Sequence, residues 1–198
     1  MSNADHRSFI RQTIEQSIDL KTRLLQDDRL LDNINTVANQ LTETFARGNR
    51  LLIAGNGGSA ADAQHIAAEF VCRFNFDRPG LPALALATNF SMITAAGNDY
   101  SFDDIFAREV EANGREGDLF IGISTSGNSS NVLKAIDAAR QRRIHTVGLA
   151  GAAGKIQQQA DNCLNVPSTC TPRIQECHIL IGHIICEIVE NGLFKKTT

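Results

Sequence analysis

Leu51-Leu52-Ile53-Ala54-Gly55-Asn56-Gly57-Gly58-Ser59-Ala60 is the stretch that decides the fold. Four consecutive apolar residues mark a strand buried on both faces, and they run without a break into a glycine loop. Helical spacing follows the loop over 59–73, so the unit is strand, small-residue loop, helix. The unit recurs downstream, where strands near 83–87, 118–123, 144–149 and 162–166 alternate with helical segments near 101–112, 129–141 and 172–193. This alternation predicts an α/β fold with a parallel five-stranded sheet and helices on both faces. Ligands of such folds bind in the loops at the carboxyl ends of the strands.

Upstream, apolar residues recur at helical spacing from Phe9 to Arg47, among them Leu20, Leu24, Leu30, Ile34, Val37, Leu41 and Phe45. They predict two helices broken near Asp27-Asp28, the second ended by Gly48. A chain of 198 residues fits one domain of ordinary size, with a helical segment, 1–47, leading into an α/β core, 48–198. The last helix is expected to start with Thr171 as N-cap and Pro172 at its first position.

Composition narrows the function classes. Hydrophobic residues make up 42% and charged residues 21%, far from the signature of disorder. A net charge of -3 supplies no global positive field for nucleic acid or an anionic membrane surface, so an anionic ligand must be held locally. The one dense basic run, Arg140-Gln141-Arg142-Arg143, falls where a helix ends and reads as a solvated terminus. Five cysteines without a CxxC pair argue against a disulfide framework and a thiolate zinc site, and point to a reducing, cytoplasmic compartment. Met1 to Ile10 lacks the apolar centre of a secretory leader, and no segment approaches 18 consecutive apolar residues.

Three loops or helix faces carry chemistry. Gly55-Asn56-Gly57-Gly58-Ser59-Ala60 formally matches the dinucleotide fingerprint G-x-G-x-x-A. That fingerprint needs an acidic residue about 20 positions on, at the end of the next strand. Asp77 has the spacing but lies in the turn-rich stretch Phe74 to Gly80, before the strand, and the dinucleotide reading loses its support. What remains is a backbone loop that binds polar ligand atoms with the Asn56 amide and the Ser59 hydroxyl, or a tight turn that needs glycine for its geometry alone.

Ser124-Thr125-Ser126-Gly127-Asn128-Ser129 sits between a strand and a helix, and gathers hydroxyls and backbone N–H groups at a helix N-terminus. That is a phosphate cradle without lysine, suited to a phosphomonoester rather than a nucleoside triphosphate, or else an ordinary polar turn. His65, Glu69 and Arg73 follow in steps of four on one helix face. His and Glu four apart can share a divalent metal, and a glutamate can remove a proton from carbon beside a carbonyl; the plainer alternative is Glu69 paired with Arg73 or His65. On the last helix, Arg173-Ile174-Gln175-Glu176-Cys177-His178 and His183 stay unranked. Glu176 shares a face with His183, while Gln175 is about 80° away.

Taken together, Gly55 to Ser59, His65 with Glu69, Gly97-Asn98-Asp99, Gly117-Asp118, Ser124 to Ser129, and Arg173-Ile174-Gln175-Glu176 followed by His183 resemble the phosphoheptose isomerase branch of the sugar isomerase (SIS) superfamily, over nearly the whole chain. The resemblance implies a single SIS-type domain. It implies that Asn56, Gly57, Gly58, Glu69, Asn98, Asp99 and Gln175 contact substrate, and that Ser124, Thr125, Ser126 and Ser129 hold its phosphate. It implies one Zn2+ per subunit on His65, Glu69, Gln175 and His183, a homotetramer, and catalysis by Glu69 and His183. The reaction implied converts sedoheptulose 7-phosphate into D-glycero-D-manno-heptose 7-phosphate through an enediol, as a heptose precursor for lipopolysaccharide or related glycans. Two other functions are compatible with such a fold: a non-catalytic regulator that binds the replication initiator DnaA, and an isomerase of another sugar phosphate. Ala60-Ala61 and Thr171-Pro172 depart from the pattern of some members without removing a motif residue.

Overall fold

The computed structural model describes residues 3–195. Two helices open the chain, α1 (Asn3–Leu25) and α2 (Asp28–Ala46), and Asp27 caps the second by accepting the Leu30 N–H at 3.0 Å. There follow β1 (Leu51–Gly55), α3 (Gly58–Val71), β2 (Ala83–Ala85), α4 (Phe90–Asp99), a 3-10 turn at Phe102–Asp104, α5 (Ile105–Asn113) and β3 (Leu119–Ser124). The rest is α6 (Ser130–Gln141), β4 (His145–Ala150), α7 (Ile156–Gln159), β5 (Asn162–Asn165) and α8 (Thr171–Phe194).

The sheet has the order β2-β1-β3-β4-β5 and every pairing is parallel. Parallel strands covered on both faces read as unbroken apolar runs, and β1 and β3 are buried at every residue. One apolar cluster joins Leu20 and Leu24 of α1 to α2, α3, α8 and the strand residues Leu51, Ile53, Leu119 and Ile121. A second, on the other face, joins Leu52, Phe120 and Ala150 to α5 and α6. α8 has the length and apolarity of a membrane-crossing helix. Here Ile174, Cys177, Ile181, Ile185 and Val189 turn that apolarity into the first cluster, as in a core helix.

The sequence-derived strands and long helices are all present within a few residues. α4 and α7 are additional. α4 buries only Ala96 and exposes Phe90, so no apolar period announces it; its start is set by Asn89, whose side-chain Oδ1 accepts the Met92 N–H. The N-cap of α8 is Cys170, with Thr171 already helical and Pro172 second, and no side chain caps it. α3 ends at Val71, so Arg73 lies beyond the helix and leaves the face shared by His65 and Glu69.

Candidate active site

The chain leaves β1 through α3 to reach β2 on one side, then returns past β1 to β3 on the other. The loops after β1 and β3 therefore diverge and open a crevice at their carboxyl ends, where ligands of open α/β sheets bind. In the first loop Gly57, at φ +57°, turns the backbone into α3 in a region that L side chains avoid. Gly58 lies against Gln175 of α8: a Cβ here would clash with its side-chain Nε2.

Asn131, only 2% exposed at the start of α6, joins the two loops. Asn56 Nδ2 donates to Asn131 Oδ1 at 2.8 Å, and Asn131 Nδ2 donates back to Asn56 Oδ1 at 2.9 Å. Each Asn56 group has bonding capacity left, one N–H and one lone pair, for a ligand.

In the second loop the hydroxyls divide. Ser124 is buried, and its Oγ accepts the Ser129 N–H at 3.3 Å while lying 2.9 Å from Ser129 Oγ, so it shapes the loop from within. Ser126 is exposed; its Oγ accepts the Asn128 N–H at 3.2 Å and keeps its own proton to give. Ser129 is the N-cap of α6 yet forms no side-chain cap. An anion can satisfy donors that a cap ordinarily takes.

The third group lies where α3 and α8 pack. His65 Nε2 is 3.1 Å from Glu69 Oε1 and 3.2 Å from His183 Nε2, and the two imidazole rings are 5.0 Å apart. All three ligand atoms fall within 4.8 Å of one another. A tetrahedral zinc ion with bonds of about 2.0–2.1 Å separates its ligand atoms by about 3.3 Å, and the two separations measured from His65 match that spacing. The Phe74 ring packs on His183 at 5.6 Å between centroids.

Comparison with known proteins agrees with this architecture. The SIS domain family model matches residues 14–151. A phosphoheptose isomerase of Aneurinibacillus thermoaerophilus is 56% identical over 95% of this chain and 96% of its own. The chain is a member of the phosphoheptose isomerase family of SIS domain proteins. Solved phosphoheptose isomerases from Neisseria gonorrhoeae and Francisella tularensis superpose with TM-scores of 0.87 and 0.90, at 40% and 35% identity. They cover 93% and 96% of this chain, and 98% and 100% of theirs.

Two residues of the phosphoheptose isomerase pattern, Asp118 and Glu176, make contacts that serve the fold. Asp118 is buried at the opposite end of β3, where its carboxylate accepts from the backbone N–H groups of Arg50 and Arg115, both at 2.9 Å. It holds the fold rather than a ligand. Glu176, on α8, faces α1: it accepts from Ser17 Oγ at 2.7 Å and pairs with Arg173 at 2.6 Å. Asn98 and Asp99 sit exposed on the last turn of α4, with the Asn98 amide donating to Asp99 at 2.9 Å.

Three residues next to the site escape sequence reasoning. Asn131 lies just past the serine loop, where a second asparagine is the only signal. Phe74 lies in the turn-rich stretch dismissed with Asp77. Asp62, one turn before His65, has a buried oxygen without a hydrogen-bond partner among the described residues; burial raises its pKa, with His65 opposing.

Proposed function

We propose that this chain interconverts sedoheptulose 7-phosphate and D-glycero-D-manno-heptose 7-phosphate by ketose-aldose isomerisation. The observation that carries the proposal is the convergence of one carboxylate and two imidazoles from α3, which begins at the glycine loop, and α8. Spacing supports it. α3 rises about 10 Å from Gly58 to His65 at 1.5 Å per residue. A ligand with its phosphate at the crevice reaches the trio when its reacting carbons lie several bonds from that phosphate, as C1 and C2 of a 7-phosphate do. The relatives named above are phosphoheptose isomerases, so an isomerase is favoured over a non-catalytic regulator.

In the assignment we favour, Ser124, Thr125, Ser126 and Ser129 surround the phosphate, with Ser126 donating and Ser124 setting the loop. Asn56, Gly57, Gly58, Asn98, Asp99 and Gln175 contact the sugar. Glu69 carries the proton between C1 and C2, and His183 exchanges protons with the O1 and O2 oxygens as the enediol forms and collapses. His65, Glu69 and His183 would hold Zn2+, with Gln175 completing the set. A bound ion supplies Lewis-acid polarisation of the carbonyl. Glu69 turns Oε1 toward His65, which leaves Oε2 as the oxygen that takes the proton.

We further infer a cytoplasmic homotetramer. All five cysteines are free, and α1 exposes Phe9, Ile10, Ile14, Ile18 and Leu25 along its length, an apolar stripe suited to burial against further copies.

NMR of purified protein with sedoheptulose 7-phosphate, with zinc and with chelator, tests the activity. Conversion in at least one state is expected, and none in either rejects it. Glu69→Gln is expected to abolish turnover, and near-normal turnover would remove Glu69 as the base. A ketose 5-phosphate, two carbons shorter, is expected to be converted far more slowly.

A further inference from the structure

Residues 72–82 join α3 to β2 without regular structure, yet they are anchored by a buried ion pair. The side chains of Arg78 and Glu190 are 2% and 1% exposed, with Arg78 Nε donating to Glu190 Oε1 at 3.0 Å. Glu190 also accepts the Phe74 N–H at 2.9 Å and the Asn75 N–H at 2.7 Å. Burial alone would raise the Glu190 pKa; the Asn75 and Phe74 N–H groups and the Arg78 guanidinium outweigh it and hold the carboxyl below its usual range. On its other side Arg78 donates to the Glu69 carbonyl at 2.8 Å and to the Phe70 carbonyl at 2.6 Å.

A buried ion pair is weak evidence for stability, because apolar residues of similar volume often serve as well. Geometry is what this pair supplies. The Glu69 and Phe70 carbonyls belong to the last turn of α3, beyond which no helical N–H reaches them; Leu81 N–H donates to the Phe70 carbonyl, and Arg78 bridges both carbonyls with a cation at the negative end of the helix dipole. Glu190 follows His183 by seven residues on α8, hence on the same face. Its two backbone bonds hold Phe74, whose ring lies on the His183 imidazole. One charge pair thus reaches the backbone of Glu69 on one helix and the ring neighbour of His183 on the other.

We propose that Arg78 and Glu190 are positioning residues for the reaction. They set the turn that carries Glu69 and, through Phe74, the orientation of His183. The inference rests on the roles given to those two residues above. Neither Arg78 nor Glu190 touches substrate.

Glu190→Gln keeps the shape and removes the charge, leaving an amide donor facing backbone donors. The imidazole 1H–13C signals of His183, recorded without zinc or substrate, are expected to move. kcat is expected to fall about 10- to 100-fold, and apparent zinc affinity by a similar factor, as for other outer-shell partners of metal ligands. KM for the sugar phosphate should hold, because the serine cradle lies elsewhere. Phe74→Ala, which leaves the buried pair intact, should move the same His183 signals and lower kcat to a smaller extent. A merely structural pair would lower the melting temperature of Glu190→Gln while the folded protein kept wild-type kcat, zinc affinity and His183 signals; that outcome overturns the inference. If Glu190→Gln does not fold, unchanged His183 signals and kcat in Phe74→Ala overturn it instead. Because the His183 signals are read without turnover, they report on the pair even if Glu69→Gln proves fully active and the site assignment itself falls.

Discussion

The serine loop and the α3–α8 junction are built in opposite ways. Ser124 to Ser129 form a contiguous run between β3 and α6 whose hydroxyls bond within the run, such as Ser124 Oγ accepting the Ser129 N–H, while its Thr125 and Gly127 carbonyls and the Asn128 side chain accept from the segment after β4. The junction brings His65 to His183 across 118 positions of sequence, and it is completed by Phe74 and Arg78 from the connector after α3 and by Glu190 further along α8. A local cradle tolerates the loss of one donor, because others remain beside it. A junction made of single contributions does not.

That contrast can be broken at three points. The largest effect is expected from His183→Ala. Loss of a proton-transfer group typically costs about 10²–10⁴ in rate, so kcat should fall by that order while KM changes little; an intact kcat in steady-state assays would show the junction to be as redundant as the cradle. Next comes His178, five residues away on the same helix. It is fully buried, neither ring nitrogen has a hydrogen-bond partner among the described residues, and burial lowers its pKa from 6.5 to about 4, with the Ala150 backbone weakly opposing.

The sign follows from which state takes the proton first. The unfolded chain binds it near pH 6.5 and the folded chain only near 4, so stability is full above about pH 6.5 and declines as the pH falls toward 4. The decline is on the order of 3 kcal/mol at about 1.4 kcal/mol per pKa unit. Glu190, held below the usual carboxylate range, adds its own loss as the pH falls below its ordinary value of 4.5. His178→Leu should therefore flatten stability between pH 6.5 and 4 in urea titrations and leave kcat at pH 7 unchanged. A fall in kcat would mean that both α8 histidines serve the site.

The smallest effect belongs to the cradle. Ser126→Ala removes one hydroxyl from a charged ligand, a loss of about 1.5–3 kcal/mol that neighbouring donors partly restore, so KM should rise about tenfold with kcat unmoved. A drop in kcat instead would place Ser126 near the reacting carbons.

The same contrast explains what sequence alone could reveal. The sheet was legible because β1 and β3 are buried on both faces and so appear as plain apolar runs, and the serine loop because its residues are consecutive. α4 was not, since a helix that buries only Ala96 leaves no period to detect. On α8 the wheel did not choose between Glu176, on the face of His183, and Gln175, about 80° from it. Nothing local reveals that α1 lies against Glu176 through Ser17, or that Gly58 leaves room for Gln175. His178 and His183 look alike in sequence, and only the packing of α8 sends one into the core and the other to the junction. Arg73 had the spacing to join His65 and Glu69, but α3 stops two residues before it.

The strand order has a kinetic consequence. Leu51 pairs with Leu119, whereas Leu119 pairs with His145 and Val147 with Asn162, so the β1–β3 contact at the crevice closes the longest loop of these three. The added entropy is modest, about 0.6 kcal/mol for each doubling of loop length. Folding rate is more sensitive to such separations than stability is. During synthesis the glycine loop emerges long before its partner strand, and the crevice cannot close until the ribosome has delivered Ser124. Refolding followed by crevice formation should then lag behind refolding followed by the helical signal of α1 and α2.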